Sequence, residues 1–183
     1  LDFEKALVLN PESSLVRHNL AVLNKSKSNK DETERLLTEA IEKNPKQPHS
    51  YAERGLVRKE AGNLKGALAD YNEAIRLEPG DPDYWLNRGI IKEQSKDING
   101  AMADYQQVIT LKQDYEKGWL NHGNALVKLN RLPEAIEDYT VAITYFPEYG
   151  LAYYNRGLTY HRLGKKKEAC LDLEQAKKFG INI

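Results

Sequence analysis

Cys170 and His161 are the nearest approach to a nucleophile and its base, a thiol and an imidazole nine residues apart. Such a pair performs acyl transfer only when the imidazole takes the thiol proton and a third group orients the imidazole. No third group is marked out. The reading that follows is that Cys170 packs on a helix as an inert thiol, while His161 faces solvent or a groove. The four histidines, His18, His49, His122 and His161, show no metal-ligand spacing such as two histidines four apart. No glycine-rich phosphate loop occurs, because the glycines stand singly. The expectation is no catalytic residue, no metal site, no cofactor and no enzymatic activity.

Ionic chemistry is better patterned. Basic residues stand at Arg54, Arg88, His122 and Arg156, and each is followed sixteen residues later by an acid, at Asp70, Asp104, Asp138 and Asp172. In an earlier stretch both columns turn apolar together, at Leu20 and Leu36. Partners that appear and vanish together predict structural ion pairs across a helix interface, with a bidentate guanidinium–carboxylate geometry where the base is arginine. A ligand-binding row of arginines is the rival reading, disfavoured because buried charges need partners.

These columns belong to a larger period. Gly55, Gly89, Gly123 and Gly157 recur every 34 residues; so do Ala67, Ala101, Ala135 and Ala169, and the aromatics Tyr51, Trp85, Trp119 and Tyr153. A fixed period of this length means stacked supersecondary units and an extended surface in place of a closed pocket. Within one unit, Tyr51, Arg54, Gly55 and Arg58 share one helical face, Gly62 and Asn63 interrupt it, and Ala67, Tyr71, Ala74 and Ile75 form a second face that Pro79 and Gly80 end. The unit is an antiparallel pair of helices. A glycine inside a helix is unfavourable by about 1 kcal/mol relative to alanine, so its recurrence predicts that something packs closely there.

The boundaries read as 1–13, the second helix of a truncated unit (Phe3, Ala6, Leu7, Leu9, Pro11); a degenerate unit at 14–47, with Arg17 in the aromatic column; then units at 48–81, 82–115, 116–149 and 150–183. Lys177 takes the place held by Ile41, Ile75, Ile109 and Ile143, so the last unit reads as a solvated cap that ends the array. More repeats or another domain are expected upstream.

Trp119, His122-Gly123, Leu126, Ala135, Tyr139, Ala142 and Pro147 reproduce a known template, and the chain resembles the tetratricopeptide repeat family. The resemblance implies an all-α fold, a right-handed superhelical solenoid of stacked antiparallel helix hairpins whose first helices line a concave, peptide-binding groove. It places Leu86, Asn87, Ile90, Leu120, Asn121, Asn124, Tyr154, Asn155 and Leu158 on that groove. Asn87, Asn121 and Asn155 repeat at the unit period and could hold an extended backbone, since an amide side chain both donates and accepts; bonding only within the stack is the alternative. The family members that clamp chaperone tails use lysines, asparagines and an arginine; the candidate sites here hold Ala52, Leu56, Leu86, Ile90 and Leu120 and lack the lysines, so those tails are not expected as ligands. The Asn-Arg-Gly and Asp-Tyr pairs resemble bacterial members.

The implied function is a non-enzymatic interaction scaffold for a peptide or partner segment. Self-assembly, or service as the regulatory arm of a larger enzyme, are the rivals. Charge supports no nucleic-acid role: 27 basic residues balance 27 acidic ones. No apolar run is long enough to cross a bilayer. The sequence starts at Leu1, so no leader can be read, and the single cysteine fits the cytoplasm while permitting the periplasm.

Overall fold

A computed structural model describes residues 10, 13–26 and 30–183. The expected helix around Phe3–Pro11 and part of the first polar turn lie outside the described residues. Ten helices and no strand occur among the described residues: α1 (Ser14–Ser26), α2 (Lys30–Lys43), α3 (Pro48–Glu60), α4 (Leu64–Leu77), α5 (Pro82–Gln94), α6 (Ile98–Leu111), α7 (Glu116–Lys128), α8 (Leu132–Tyr145), α9 (Gly150–Arg162) and α10 (Lys166–Lys178). They form two compact units that divide between Ser95 and Lys96.

Helix ends follow local chemistry. Proline opens α3 and α5, where its missing N–H is not needed. Asn63 and Asp97 cap α4 and α6, accepting from the backbone N–H of Gly66 at 3.0 Å and Gly100 at 2.9 Å. The turns that precede α4, α6, α8 and α10 share one residue in the left-handed region: Gly62, Lys96, Asn130 and Gly164, with φ of 82°, 67°, 59° and 75°.

In the first unit each helix packs on its sequence neighbours and α3 also touches α5. Ala67, Tyr71, Ala74, Ile75, Tyr84 and Ile91 form its main core; Leu20, Ala21, Leu36, Leu37 and Val57 form another beneath α1 and α2. In the second unit the neighbours again pack pairwise and α7 touches α9. Its core joins Leu120, Leu126, Ala135, Tyr139, Ala142 and Ala152. Burial of each large side chain stabilises by roughly 1.5–3 kcal/mol.

The helical glycines admit the tyrosines of the facing helix. A Cβ on Gly55 would lie 2.9 Å from the Tyr71 ring, and one on Gly123 would lie 2.7 Å from the Tyr139 ring. At Gly157 the neighbours are Asp172 and Leu173, because leucine stands in the tyrosine register. The recurring aromatics anchor the connection before their own helix: Trp85 Nε1 donates to the Pro79 carbonyl at 2.9 Å and Trp119 Nε1 to the Gln113 carbonyl at 2.8 Å.

Candidate functional site

The first unit carries a cleft of about 390 Å³ on the faces of α1, α3 and α5, lined by His18, His49, Ala52, Glu53, Leu56, Tyr71, Asp81, Asp83, Tyr84 and Asn87. Tyr71 reaches it from α4 through the space opened by Gly55. Burial pushes the Tyr71 phenol up, and the neighbouring carboxylates Glu53, Asp70 and Asp83 push it further, so it stays protonated. His18 shares a hydrogen bond with Ser50 Oγ at 3.2 Å. Burial lowers its pKa from 6.5, opposed by Glu53 and helped by His49, which leaves the ring uncharged at neutral pH. Asp81 caps α5, accepting from the Asp83 backbone N–H at 2.8 Å.

One corner of the cleft is tied together by Tyr84. Its hydroxyl hydrogen-bonds to His49 Nδ1 and donates to Glu78 Oε2 at 3.3 Å; burial, with Asp81 and Glu78 nearby, raises its pKa. His49, Glu78 and Asp81 each bring a potential ligand atom within 4.8 Å of the other two. Among the described residues this group could hold a divalent ion, and sequence spacing does not announce it because its members come from α3 and from the ends of α4 and α5.

Three pairs of the basic and acidic columns meet inside their hairpins. Arg54 Nε and Nη2 donate to the two oxygens of Asp70 at 3.1 and 2.7 Å, and Arg58 Nη1 adds a third bond at 2.9 Å. Asp70 is 2% exposed. Arg156 repeats the fork on Asp172 at 2.7 and 2.8 Å. His122 Nδ1 lies 2.6 Å from Asp138 Oδ2. Arg88 belongs to the first unit and Asp104, itself buried, to the second. A further polar column went unread in the sequence: Arg54 Nη1 donates to Thr38 Oγ1 at 3.1 Å, Arg88 Nη1 to Asn72 Oδ1 at 2.8 Å, and Arg156 Nη1 to Thr140 Oγ1 at 2.9 Å. These partners lie sixteen residues before each arginine and bind it to the preceding hairpin. The same guanidinium groups sit over Tyr51, Trp85 and Tyr153 at 5.8, 4.7 and 5.6 Å from the ring centroids.

The groove residues implied by the resemblance divide. Leu86 and Leu120 are only 5% and 8% exposed, which leaves little surface to offer a ligand. Ile90 and Tyr154 are half-buried, and Leu158 is 41% exposed. Asn87 Nδ2 donates to the Asp83 carbonyl and Asn121 Nδ2 to the Lys117 carbonyl, both at 2.8 Å along their own helices. Asn155 Nδ2 donates to Asn124 Oδ1 at 2.8 Å, which also accepts from the Tyr139 hydroxyl at 2.7 Å. Cys170 does not pack on a helix as expected: its register on α10 leaves it exposed, and His161 on α9 is exposed as well.

Family models described as TPR repeat match residues 55–96 and 123–164, and as tetratricopeptide repeat match 82–115 and 151–179. The chain belongs to the tetratricopeptide repeat family. No curated protein matches it. Among solved structures, this tetratricopeptide repeat chain is similar to YrrB, a TPR protein with an unusual peptide-binding site (21% identity, 97% of this chain and 92% of that one, TM-score 0.79). It is also similar to MamA from Desulfovibrio magneticus RS-1 (16% identity, 91% and 94%, TM-score 0.83) and to Pseudomonas aeruginosa pilF (14% identity, 93% and 78%, TM-score 0.82). At these identities the likeness shows the fold. Membership of the repeat family makes the chain a protein–protein interaction scaffold, of a kind that is generally non-enzymatic. No helix among the described residues is long and apolar enough to cross a membrane.

Proposed function

We propose that each unit binds an extended segment of a partner protein on the faces of its own first helices, α1, α3 and α5 in the first unit and α7 and α9 in the second. The observation that carries this reading is the cleft on α1, α3 and α5. It combines apolar walls, Ala52 and Leu56, with polar groups able to fix a chain, among them Asn87. The peptide-binding site of YrrB, a relative in fold, supports the same use of the scaffold.

Asn87 and Asn121 lie along their helices through their amide N–H groups, which turns each Oδ1 toward the role of acceptor for a ligand backbone N–H. Asn155 is tied to Asn124 and offers less. Arg54, Arg156 and His122 are assigned to structure, because they are matched to the carboxylates Asp70, Asp172 and Asp138.

The test is a peptide-library screen against the wild-type chain and an Asn87/Asn121/Asn155→Ala triple variant, each first checked for helix content. Peptides retained by the wild type and lost by the variant support the asparagine contacts. Equal retention removes the asparagines from the reading, and no retained peptide at all removes the reading itself.

A further inference from the structure

Helix α10 keeps the registers through which earlier second helices hold the hairpin after them. In α8 these registers carry Leu132, Ile136, Thr140 and Ile143. Leu132 is buried, Ile136 and Ile143 are half-buried, and Thr140 Oγ1 accepts from Arg156 of α9. In α2 they carry Lys30, Glu34, Thr38 and Ile41, and three of these bind the next first helix, α3, through polar side chains. Lys30 Nζ lies 3.9 Å from Glu60 Oε2, Glu34 Oε1 accepts from Arg58 Nε at 2.8 Å, and Thr38 Oγ1 accepts from Arg54 Nη1 at 3.1 Å.

In α10 the same registers carry Lys166, Cys170, Glu174 and Lys177, all exposed. Glu174 continues the column of Thr38, Asn72 and Thr140, each of which accepts from an arginine of the following hairpin. Lys166, Glu174 and Lys177 form no ion pair among the described residues. A concavity of about 460 Å³ opens on this face, lined by Lys166, Lys167, Cys170 and Leu171, and Leu171 is 63% exposed. The described residues after α10 do not line it: Gly180 turns the chain with φ of 87°, and Phe179 and Ile181 lie against Gly150 at the start of α9.

We propose that the outer face of α10 docks an amphipathic helix of a partner protein, which lies on α10 as α3 lies on α2. The partner helix carries an arginine for Glu174, an apolar residue four positions later for Cys170 and Leu171, and a glutamate six positions later for Lys166 and Lys167. The spacing is that of Arg54, Arg58 and Glu60 on α3. An apolar residue replaces Arg58, because Cys170 stands where Glu34 receives that arginine. A carboxylate at Glu174 accepts a guanidinium more strongly than threonine or asparagine does in the same column. The arrangement is a helix laid by its apolar stripe into a groove, with charge fixing its direction. Reversed charges would set glutamate against Glu174 and arginine against the lysines. A uniformly anionic surface would meet Glu174 in the middle of the face. This surface belongs to a second helix, so the inference stands apart from the segment-binding reading of the first-helix faces.

The measurement is fluorescence anisotropy of labelled, side-chain-bridged helical peptides of about 20 residues titrated with the full chain. The forward peptide has arginine, then leucine four positions on and glutamate six positions on; the swapped peptide exchanges the arginine and the glutamate. The forward peptide should bind, and the swapped one about tenfold more weakly. The double variant Lys166→Glu/Glu174→Arg should reverse that preference. Both positions are exposed, and a glutamate suits the first turn of a helix, so the variant keeps α10. Leu171→Asp should weaken both peptides. Cys170 is the only cysteine, so its rate of reaction with a thiol reagent reports directly on this face, and the forward peptide should slow it. No binding by the forward peptide overturns the proposal. So does binding that ignores charge order in both proteins, or binding that leaves the Cys170 rate unchanged.

Discussion

The guanidinium of Arg156 grips the carboxylate of Asp172 through two parallel hydrogen bonds, Nε to Oδ2 at 2.7 Å and Nη2 to Oδ1 at 2.8 Å, and so joins α9 to α10. Asp172 is buried. Its removal would strand a half-buried guanidinium that had two of its five N–H groups satisfied there. Asp172→Ala should destabilise the chain by about 3 kcal/mol, read from the urea midpoint. Asp172→Asn, which keeps one acceptor, should be milder. A loss below about 0.5 kcal/mol for the alanine variant would mean that water serves Arg156 as well as the carboxylate does.

Gly123 sets the distance between α7 and α8. A methyl group there would lie 2.7 Å from the Tyr139 ring, which is itself nearly fully buried and hydrogen-bonded to Asn124. Alanine gains about 1 kcal/mol in helix propensity over glycine. Overpacking a filled interface loses roughly 1–3 kcal/mol, and a shift of the ring would also disturb its bond to Asn124. Gly123→Ala should therefore be net destabilising, while Gly123→Ala/Tyr139→Leu should recover part of the loss. Leu173 facing Gly157 in the last hairpin shows that leucine is accepted at that register. Thermal unfolding of the pair of variants decides it, and a neutral or stabilised Gly123→Ala would show that the helices can separate freely.

The hairpins were legible because their marks are periodic: small residues where helices cross, aromatics that bury, and turn residues between. The ion pairs were legible for the same reason, since Arg54–Asp70 and Arg156–Asp172 repeat one spacing. Thr38, Asn72 and Thr140 repeat it too, yet threonine and asparagine are ordinary on a helix surface, so nothing in their type announced a bond to arginine. The cleft was hidden for the opposite reason. Glu53, Asp81 and His49 depart from the period, and only the packing of α1, α3 and α5 brings them together. Leu86 and Leu120 show the limit of reading position from a template: both lie at groove registers, and both are buried. The type of Cys170 suggests a packing residue, whereas its register on α10 faces water.

Lys96 occupies the left-handed turn position that glycine fills at Gly62 and Gly164, with φ of 67°. An L-residue there is strained by roughly 1–2 kcal/mol. Glycine removes the strain but raises the entropy of the unfolded chain by about 0.4–1 kcal/mol. Lys96→Gly should thus stabilise by roughly 0.5–1 kcal/mol, by the difference of these two terms. Asn130→Gly should gain less, because asparagine tolerates this conformation. Urea titration of the two single variants checks the order. A destabilised Lys96→Gly would show that the lysine side chain contributes more than its backbone strain removes.

His18 gives the stability of the fold a pH dependence. Burial lowers its pKa in the folded chain below the ordinary 6.5, Glu53 opposing and His49 reinforcing. Above about 6.5 both folded and unfolded chains carry the neutral ring, and the full stability is present. As pH falls through 6.5 the unfolded chain takes up a proton that the folded chain refuses, so unfolding becomes easier with each step down until the folded value is passed. His18→Gln keeps a hydrogen-bonding partner for Ser50 and removes the titration. The variant should show a flatter fall of unfolding free energy below pH 6.5 than the wild type, and parallel curves would assign the acid sensitivity to other groups.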